Sequence, residues 1–280
     1  IRVKARGNWR RQKSNCKRPP FMLNFKQSNI GESSLFFGQK ELKMVTPCIN
    51  EKYVIREYLV YKLYNLVTDK SFRARLIRFT LKDENNKKSG DSYYGFLIEN
   101  EDKMAERNQA QIVKRDGMRP QNTDKETFYN MTLFAYMIGN TDWGVEYRHN
   151  IKLIYSRENN FLATVPYDFD FTGIVGSPYA KPAVELEMSS VKERRYRGYC
   201  IDNIDILKPS FEYFKTLKED FYTIINDCVW LEEKYRKNTL KFFDNFYKIL
   251  DDPKKCEDEF LYPCDPRGTG NVIITGMKKN

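Results

Sequence analysis

Residues 138–173 read IGNTDWGVEYRHNIKLIYSRENNFLATVPYDFDFTG, and the fold turns on how this stretch is divided. It opens on a polar turn, Gly139-Asn140-Thr141-Asp142, and continues to the pair His149-Asn150. Two short apolar runs follow, 151–155 and 161–166, and the stretch closes on Asp168-Phe169-Asp170. This is the pattern of a loop, a hairpin and a second loop. A hairpin with acidic residues at both open ends draws Asp142, Asn150, Asp168 and Asp170 into one cluster. Oxygen ligands in that number suit Mg²⁺, a hard cation that takes one or two carboxylates plus phosphate oxygens. Phosphoryl transfer uses the same parts: an Asp that orients the nucleophile, and an Asn and an Asp on the metal. Asp and Asn also favour turns, so ordinary loop residues are the alternative reading.

Working outward, the flanking segments read as two unlike halves. Residues 1–46 predict three strands, at 1–6, 21–26 and 42–46. The turn between the first two, Arg6-Gly7-Asn8-Trp9-Arg10-Arg11, is basic and contains a glycine. It reads either as a hairpin loop or as a cover for phosphates, with backbone N–H groups and Arg as donors. Residues 51–67 predict a helix with Ile55, Leu59, Leu63 and Leu66 on its core side. Glu57 in its first half is positioned to pair with a strand lysine, Lys26 or Lys43, an arrangement that holds a phosphate-binding lysine in kinases. Residues 72–82 and 92–99 predict a second hairpin around the polar turn 83–91. The predicted division is a sheet with one helix over 1–100 and a mostly helical part over 101–280, with the acidic site at 139–173.

In the second half, Thr123 and Glu126 form a T-x-x-E capping box at the head of a helix over 123–137. Gly173, Gly176, Pro178 and Pro182 mark a loop. Residues 201–228 and 231–250 predict aromatic-rich amphipathic helices, and the tail after Pro253 reads as irregular. The basic cluster Lys192-Glu193-Arg194-Arg195-Tyr196-Arg197 reads as a face toward a phosphorylated or acidic substrate.

Composition bounds the rest. With 280 residues, 41% hydrophobic and 31% charged, the chain is of ordinary globular make-up. No apolar run approaches the ~20 residues of a membrane span. The net charge of +10 is spread along the chain, the pattern of a solvated surface, and no nucleic-acid partner is expected. The six cysteines form no CxxC, which argues against zinc. Cys16 with Cys48 is the favoured disulfide, and Cys228 reads as a buried thiol. Disulfides imply an oxidising compartment. The first residue is Ile1, in what reads as a strand, so an N-terminal signal is expected to have been removed and the location to be extracytoplasmic.

The pattern resembles the CotH (spore coat protein H) family of atypical kinases and a related family of secreted bacterial proteins. The resemblance runs over residues 1–175 and rests on three segments. These are Arg6-Gly7-Asn8 with the strand Pro20-Phe21-Met22-Leu23-Asn24-Phe25; Arg56 with Gly95-Phe96-Leu97-Ile98-Glu99; and, most specific, Asp142 through His149-Asn150-Ile151-Lys152 to Tyr167-Asp168-Phe169-Asp170. It implies an α+β, two-lobed, protein-kinase-like fold that moves the γ-phosphate of ATP to a protein or other hydroxyl, using Mg²⁺ or Mn²⁺. By position, Asp142 is the catalytic aspartate, and Asn150, Asp168 and Asp170 are metal ligands. Arg6, Asn8, Lys26 or Lys43, and Glu57 lie around the nucleotide. His149, the only histidine, either orients Asp142 or makes a structural hydrogen bond. Asp142 and Asn150 are eight residues apart rather than the five of H-R-D-x-x-x-x-N. There is no G-x-G-x-x-G loop and no V-A-I-K strand. A secreted non-catalytic binding module on the same scaffold is the alternative; a hydrolase is disfavoured because no nucleophile elbow or paired-Glu arrangement stands out.

Overall fold

The computed structural model describes residues 1–7, 10–26, 30–82, 90–261, 274 and 277. Five antiparallel strands open the chain: β1 (Arg2–Ala5), β2 (Phe21–Asn24), β3 (Glu41–Val45), β4 (Ala74–Thr80) and β5 (Ser92–Ile98). They pair in the order β1-β2-β3-β5-β4. The helix α1 (Glu51–Val67) lies between β3 and β4 in sequence. Its start is fixed by Asn50, whose side chain accepts from the Lys52 N–H. Most of the expected turn 83–91 lies outside the described residues.

The helix α1 is buried on more than the predicted stripe. Val60, Tyr61 and Tyr64 are buried along with Ile55, Leu59 and Leu63, because α1 packs on β4 and β5 on one side and on α3 and α5 on the other. A surface helix shows one apolar stripe; a helix enclosed by two layers is apolar around most of its circumference.

The chain leaves the sheet at Asn100, which caps α2 (Glu101–Arg107) through its side chain. A second, three-stranded antiparallel sheet follows, built from β6 (Gln111–Val113), β7 (Ile151–Ser156) and β8 (Phe161–Pro166), in that order. Between β6 and β7 runs α3 (Lys125–Ile138). Its N-cap is Asp124, whose carboxylate accepts from the Thr127 N–H at 2.9 Å. This corrects the expected capping box: Thr123 instead donates its hydroxyl to the Pro120 carbonyl oxygen.

The remaining helices are α4 (Lys208–Thr216), α5 (Lys218–Asn226), α6 (Glu233–Leu250) and α7 (Pro253–Phe260). The expected helix over 201–228 is thus broken near Leu217. The tail after Pro253 is helical over eight residues rather than irregular. Proline there starts a helix: it occupies the first turn, where its missing N–H costs nothing, and Asp252 caps it. Phe260 anchors α7, with Tyr136, Tyr196 and Phe211 around it at centroid distances of 4.8, 5.1 and 5.2 Å. One buried core runs continuously from Val45 and Phe96 in the first sheet through α1 and α3 to Phe260.

Cys16 and Cys48 form the expected disulfide. Cys200 is also disulfide-bonded, while Cys228 is a buried free thiol. No helix is long and apolar enough to cross a membrane among the described residues. The architecture is α+β, with an antiparallel sheet and one helix leading into a mostly helical part that carries the β7–β8 hairpin.

Candidate active site

The β7–β8 register ends at Ile151 opposite Pro166. One step further the Tyr167 N–H donates to the Asn150 carbonyl oxygen at 3.0 Å. The hairpin therefore presents Asn150 and Asp168 side by side at one end. Both adopt positive φ, +50° and +63°, a region where Asn and Asp are enriched among non-glycine residues.

Asp142 reaches the same place from α3. Gly139 ends that helix with φ +68°, the left-handed conformation usual just past a helix C-terminus. The Asn140 side chain then accepts from the Asp142 N–H at 3.0 Å. The longer Asp142–Asn150 spacing is absorbed by a small turn. Gly144 and His149 exchange two backbone hydrogen bonds of 2.9 Å, which loops residues 145–148 outward. Asn150 is thereby returned to Asp142, donating from Nδ2 both to the Asp142 carbonyl oxygen and to Oδ2, each at 2.9 Å. His149 Nε2 lies 2.9 Å from the other carboxylate oxygen, Oδ1. Of the two readings of His149, the orienting one fits this contact.

The Asp168-Phe169-Asp170 turn is held by its middle residue. Phe169 is buried between α1 and α3, edge-on to Tyr61 at 4.9 Å and to Phe134 at 6.4 Å. Burying such a ring contributes about 1.5–3 kcal/mol. The Asp168 N–H donates to the Tyr61 hydroxyl at 3.0 Å. Downstream, Gly173 donates to the Gly139 carbonyl oxygen at 2.9 Å. A β-carbon on Gly173 would lie 2.4 Å from the Val191 carbonyl oxygen. The turn is clasped to the end of α3 by backbone alone, and only glycine fits.

Asp142, His149, Asn150, Asp168 and Asp170 share a cavity of about 430 Å³ with Arg6, Gly7, Arg10 and Lys43. Val45, Phe72 and Ile98 supply an apolar wall. The volume lies within the ~300–1,000 Å³ of small-molecule sites.

Glu57 is buried at the floor of this cleft, but its partner corrects the expectation. It faces Arg10 at 3.9 Å, not Lys26 or Lys43. Arg10 also faces Asp170 at 3.8 Å and donates to the Thr46 carbonyl oxygen at 2.7 Å. A planar guanidinium can address three acceptors at once where an ammonium is a point charge. The Cys16–Cys48 disulfide ties the Arg10 loop to the segment just before α1. Burial, then Asp170, pushes the Glu57 carboxyl well above its usual range. Burial, then Asp168, pushes Asp170 up to about 7. Burial disfavours charge on Arg10, but Asp170, Tyr179 and Glu57 outweigh it and keep the guanidinium protonated.

Of the two candidate lysines, Lys43 lines the cleft and Lys26 is exposed outside it. Burial, reinforced by Lys152 and Arg6, lowers the Lys43 ammonium to about 8. Asn8 lies outside the described residues. Asp170, expected on a metal, is instead engaged by the Tyr179 hydroxyl at 2.9 Å and by Arg10. No group of three or more His, Cys, Asp or Glu among the described residues is arranged to hold a metal ion. Asp168 lines the cleft with no hydrogen bond or ion pair to its carboxylate among the described residues. Asn150 commits only its Nδ2. An anionic oxygen, an amide oxygen and nearby cations form a donor set that a phosphate-bound divalent ion would complete.

The basic cluster at 192–197 does not face the cleft. The Arg194 guanidinium stacks on Phe242 at 3.5 Å and donates to the carbonyl oxygens of Met137 and Phe242. Arg197 is buried and donates to the carbonyl oxygens of Thr141 and Trp143 at 2.6 Å each. These arginines brace the loop that carries Asp142.

No family model matches the chain, and no curated protein does. Among solved structures it is similar to a kinase. That structure is the Helicobacter pylori proinflammatory kinase CtkA, at 13% identity and a TM-score of 0.45, covering 77% of this chain and 89% of that one.

Sequence reasoning missed Arg10, Tyr61 and Tyr179 as site residues. Arg10 had a signal, since it sits in the basic glycine-containing turn. Tyr61 and Tyr179 had none, because their roles depend on packing between distant segments.

Proposed function

We propose that the chain is a CotH-like kinase that transfers the γ-phosphate of ATP to a hydroxyl of a protein substrate. The observation that carries this reading is the doubly anchored Asp142 carboxylate, with His149 on one oxygen and Asn150 on the other, in one cleft with Asp168 and Lys43. A carboxylate so held keeps one orientation and accepts the proton of an acceptor hydroxyl as it attacks. ATP with Mg²⁺ or Mn²⁺ would supply the phosphoryl group and neutralise its developing charge. Asp168 and the Asn150 amide oxygen are the groups to hold the metal, with Lys43 and Arg6 on phosphate oxygens. Arg10 compensates Glu57 and Asp170 and keeps the floor of the cleft from repelling a polyphosphate. The two disulfide-bonded sites support an extracytoplasmic location.

The alternative is a non-catalytic binding module on the same scaffold. It is favoured by one observation: Arg10 already spans Glu57 and Asp170, where a kinase places a phosphate-binding lysine. A thermal-shift titration with ATP and Mg²⁺ or Mn²⁺ separates the two. The kinase reading expects wild type to be stabilised by mass action and Asp168→Ala to show no shift. No shift in wild type at millimolar ATP rejects the kinase reading in favour of the module.

A further inference from the structure

A second cavity, of about 470 Å³, lies on the far side of α1 from the cleft, between residues 173–176 and α6. Arg56, Lys192, Lys234 and Lys241 line it, and Glu232 is the one carboxylate among its lining residues. Glu232 is already engaged, 3.2 Å from Arg56 and 3.9 Å from Lys52. Arg56 is fixed as well, stacked 3.8 Å over the Tyr235 ring and donating to the Val175 carbonyl oxygen. The three lysines, by contrast, make no ion pair with any described residue. Like charges gathered around a concavity without local counter-charge create a field that attracts anions.

The two cavities share walls. Phe171 lines the cleft and Gly173 lines the second cavity, with only Thr172 between them. On α1, Glu57 faces the cleft while its neighbour Arg56 faces the second cavity. A polypeptide lying across residues 171–176 touches both.

We propose that this cavity docks an acidic segment, carboxylate- or phosphate-bearing, of the polypeptide whose hydroxyl is phosphorylated in the cleft. The proposal names the substrate class and rests on the kinase reading for the second half of that statement only. Lys192, Lys234 and Lys241 contact the acidic side chains, and Arg56 holds the wall in place.

The test is fluorescence anisotropy with three labelled peptides sharing one serine acceptor. One is flanked by Asp and Glu, one by phosphoserine and one by Gln. Wild type should bind both acidic peptides, more weakly as salt rises, and should not bind the Gln peptide. The combined variant Lys192→Gln, Lys234→Gln, Lys241→Gln should bind the acidic peptides roughly tenfold more weakly, as three partly exposed charge pairs predict. The charge-reversed variant with Glu at the three positions should prefer a Lys-flanked peptide. The thermal shift with ATP and Mg²⁺ should be the same in the triple-Gln variant as in wild type.

Equal binding of the acidic and Gln peptides overturns the proposal, as does undiminished binding to the triple variant. Lysine-dependent binding to phosphatidylserine vesicles without peptide binding also overturns it and assigns the patch to membranes. If acidic peptides bind through the lysines but no phosphate is transferred, the docking site stands and the kinase reading falls.

Discussion

Asn150 donates from a single nitrogen to both the main-chain carbonyl and the side-chain carboxylate of Asp142, at 2.9 Å each. Backbone and side chain of the proposed base are thus fixed by one amide. Asp142→Asn removes the proton acceptor and should lower phosphate transfer by roughly 10²–10⁴-fold, the usual worth of a positioned general base. Asn150→Ala should lower it also, because Asp142 is freed to rotate. Both effects are read by kcat with saturating peptide and ATP, alongside melting curves that should show folded protein.

Lys43 titrates near 8 because it is buried beside Lys152 and Arg6. A polyphosphate favours its protonated form. Nucleotide affinity should therefore fall as pH rises through 8, and ATP with Mg²⁺ should raise the Lys43 titration midpoint. Reductive ¹³C-methylation followed by NMR titration measures both. Lys43→Met should weaken nucleotide binding and remove that pH dependence.

Asp170 holds its proton up to about 7 in the fold, against 3.8 ordinarily, chiefly through burial. A raised acid stabilises the fold below its ordinary range, and that contribution is lost as pH rises through the folded value. Asp170→Asn keeps the shape and removes the titration. The difference in Tm, variant minus wild type, should increase between pH 3.8 and about 7. A difference that stays level across that window would show that Asp170 ionises normally.

Arg10 is the only cation paired with Glu57 and Asp170 among the described residues. Arg10→Met should destabilise the protein by about 3–5 kcal/mol, since removing one partner leaves buried charge uncompensated. Adding Glu57→Gln should restore part of the loss. Strictly additive effects in the double-mutant cycle would mean that the two side chains do not interact.

The Cys16–Cys48 bond closes a loop across a separation of 32 residues. By loop entropy it is worth roughly 3–4 kcal/mol. Cys16→Ser with Cys48→Ser should lower Tm by several degrees. Nucleotide affinity should fall further than the Tm loss alone implies, because the loop carrying Arg10 is released.

The sequence made legible what depends on local pattern. Two apolar runs around a polar stretch predicted the β7–β8 hairpin, and the hairpin by itself brought Asn150 beside Asp168. The helix α1 was readable to the residue, because Asn50 and Glu51 begin it and the apolar spacing continues to Val67. Contacts between distant segments were not legible. Nothing near Glu57 in sequence shows that its partner is Arg10, 47 positions earlier, rather than a lysine of an adjacent strand. The cap of α3 passed from Thr123 to Asp124 because two neighbouring residues were both good caps, and only the chain's path decides between them. Pro253 read as an end and proved a beginning, since proline fits a first helical turn as readily as a break.

Arg56 and Glu57 are consecutive on α1 and face opposite cavities. One rigid helix therefore forms part of two binding surfaces, and it cannot rotate or slide without altering both. A ligand that prefers one setting of α1 on either side changes affinity on the other, by the same factor in each direction. The protein has, in two adjacent side chains, the mechanical means to let one occupant report on the other.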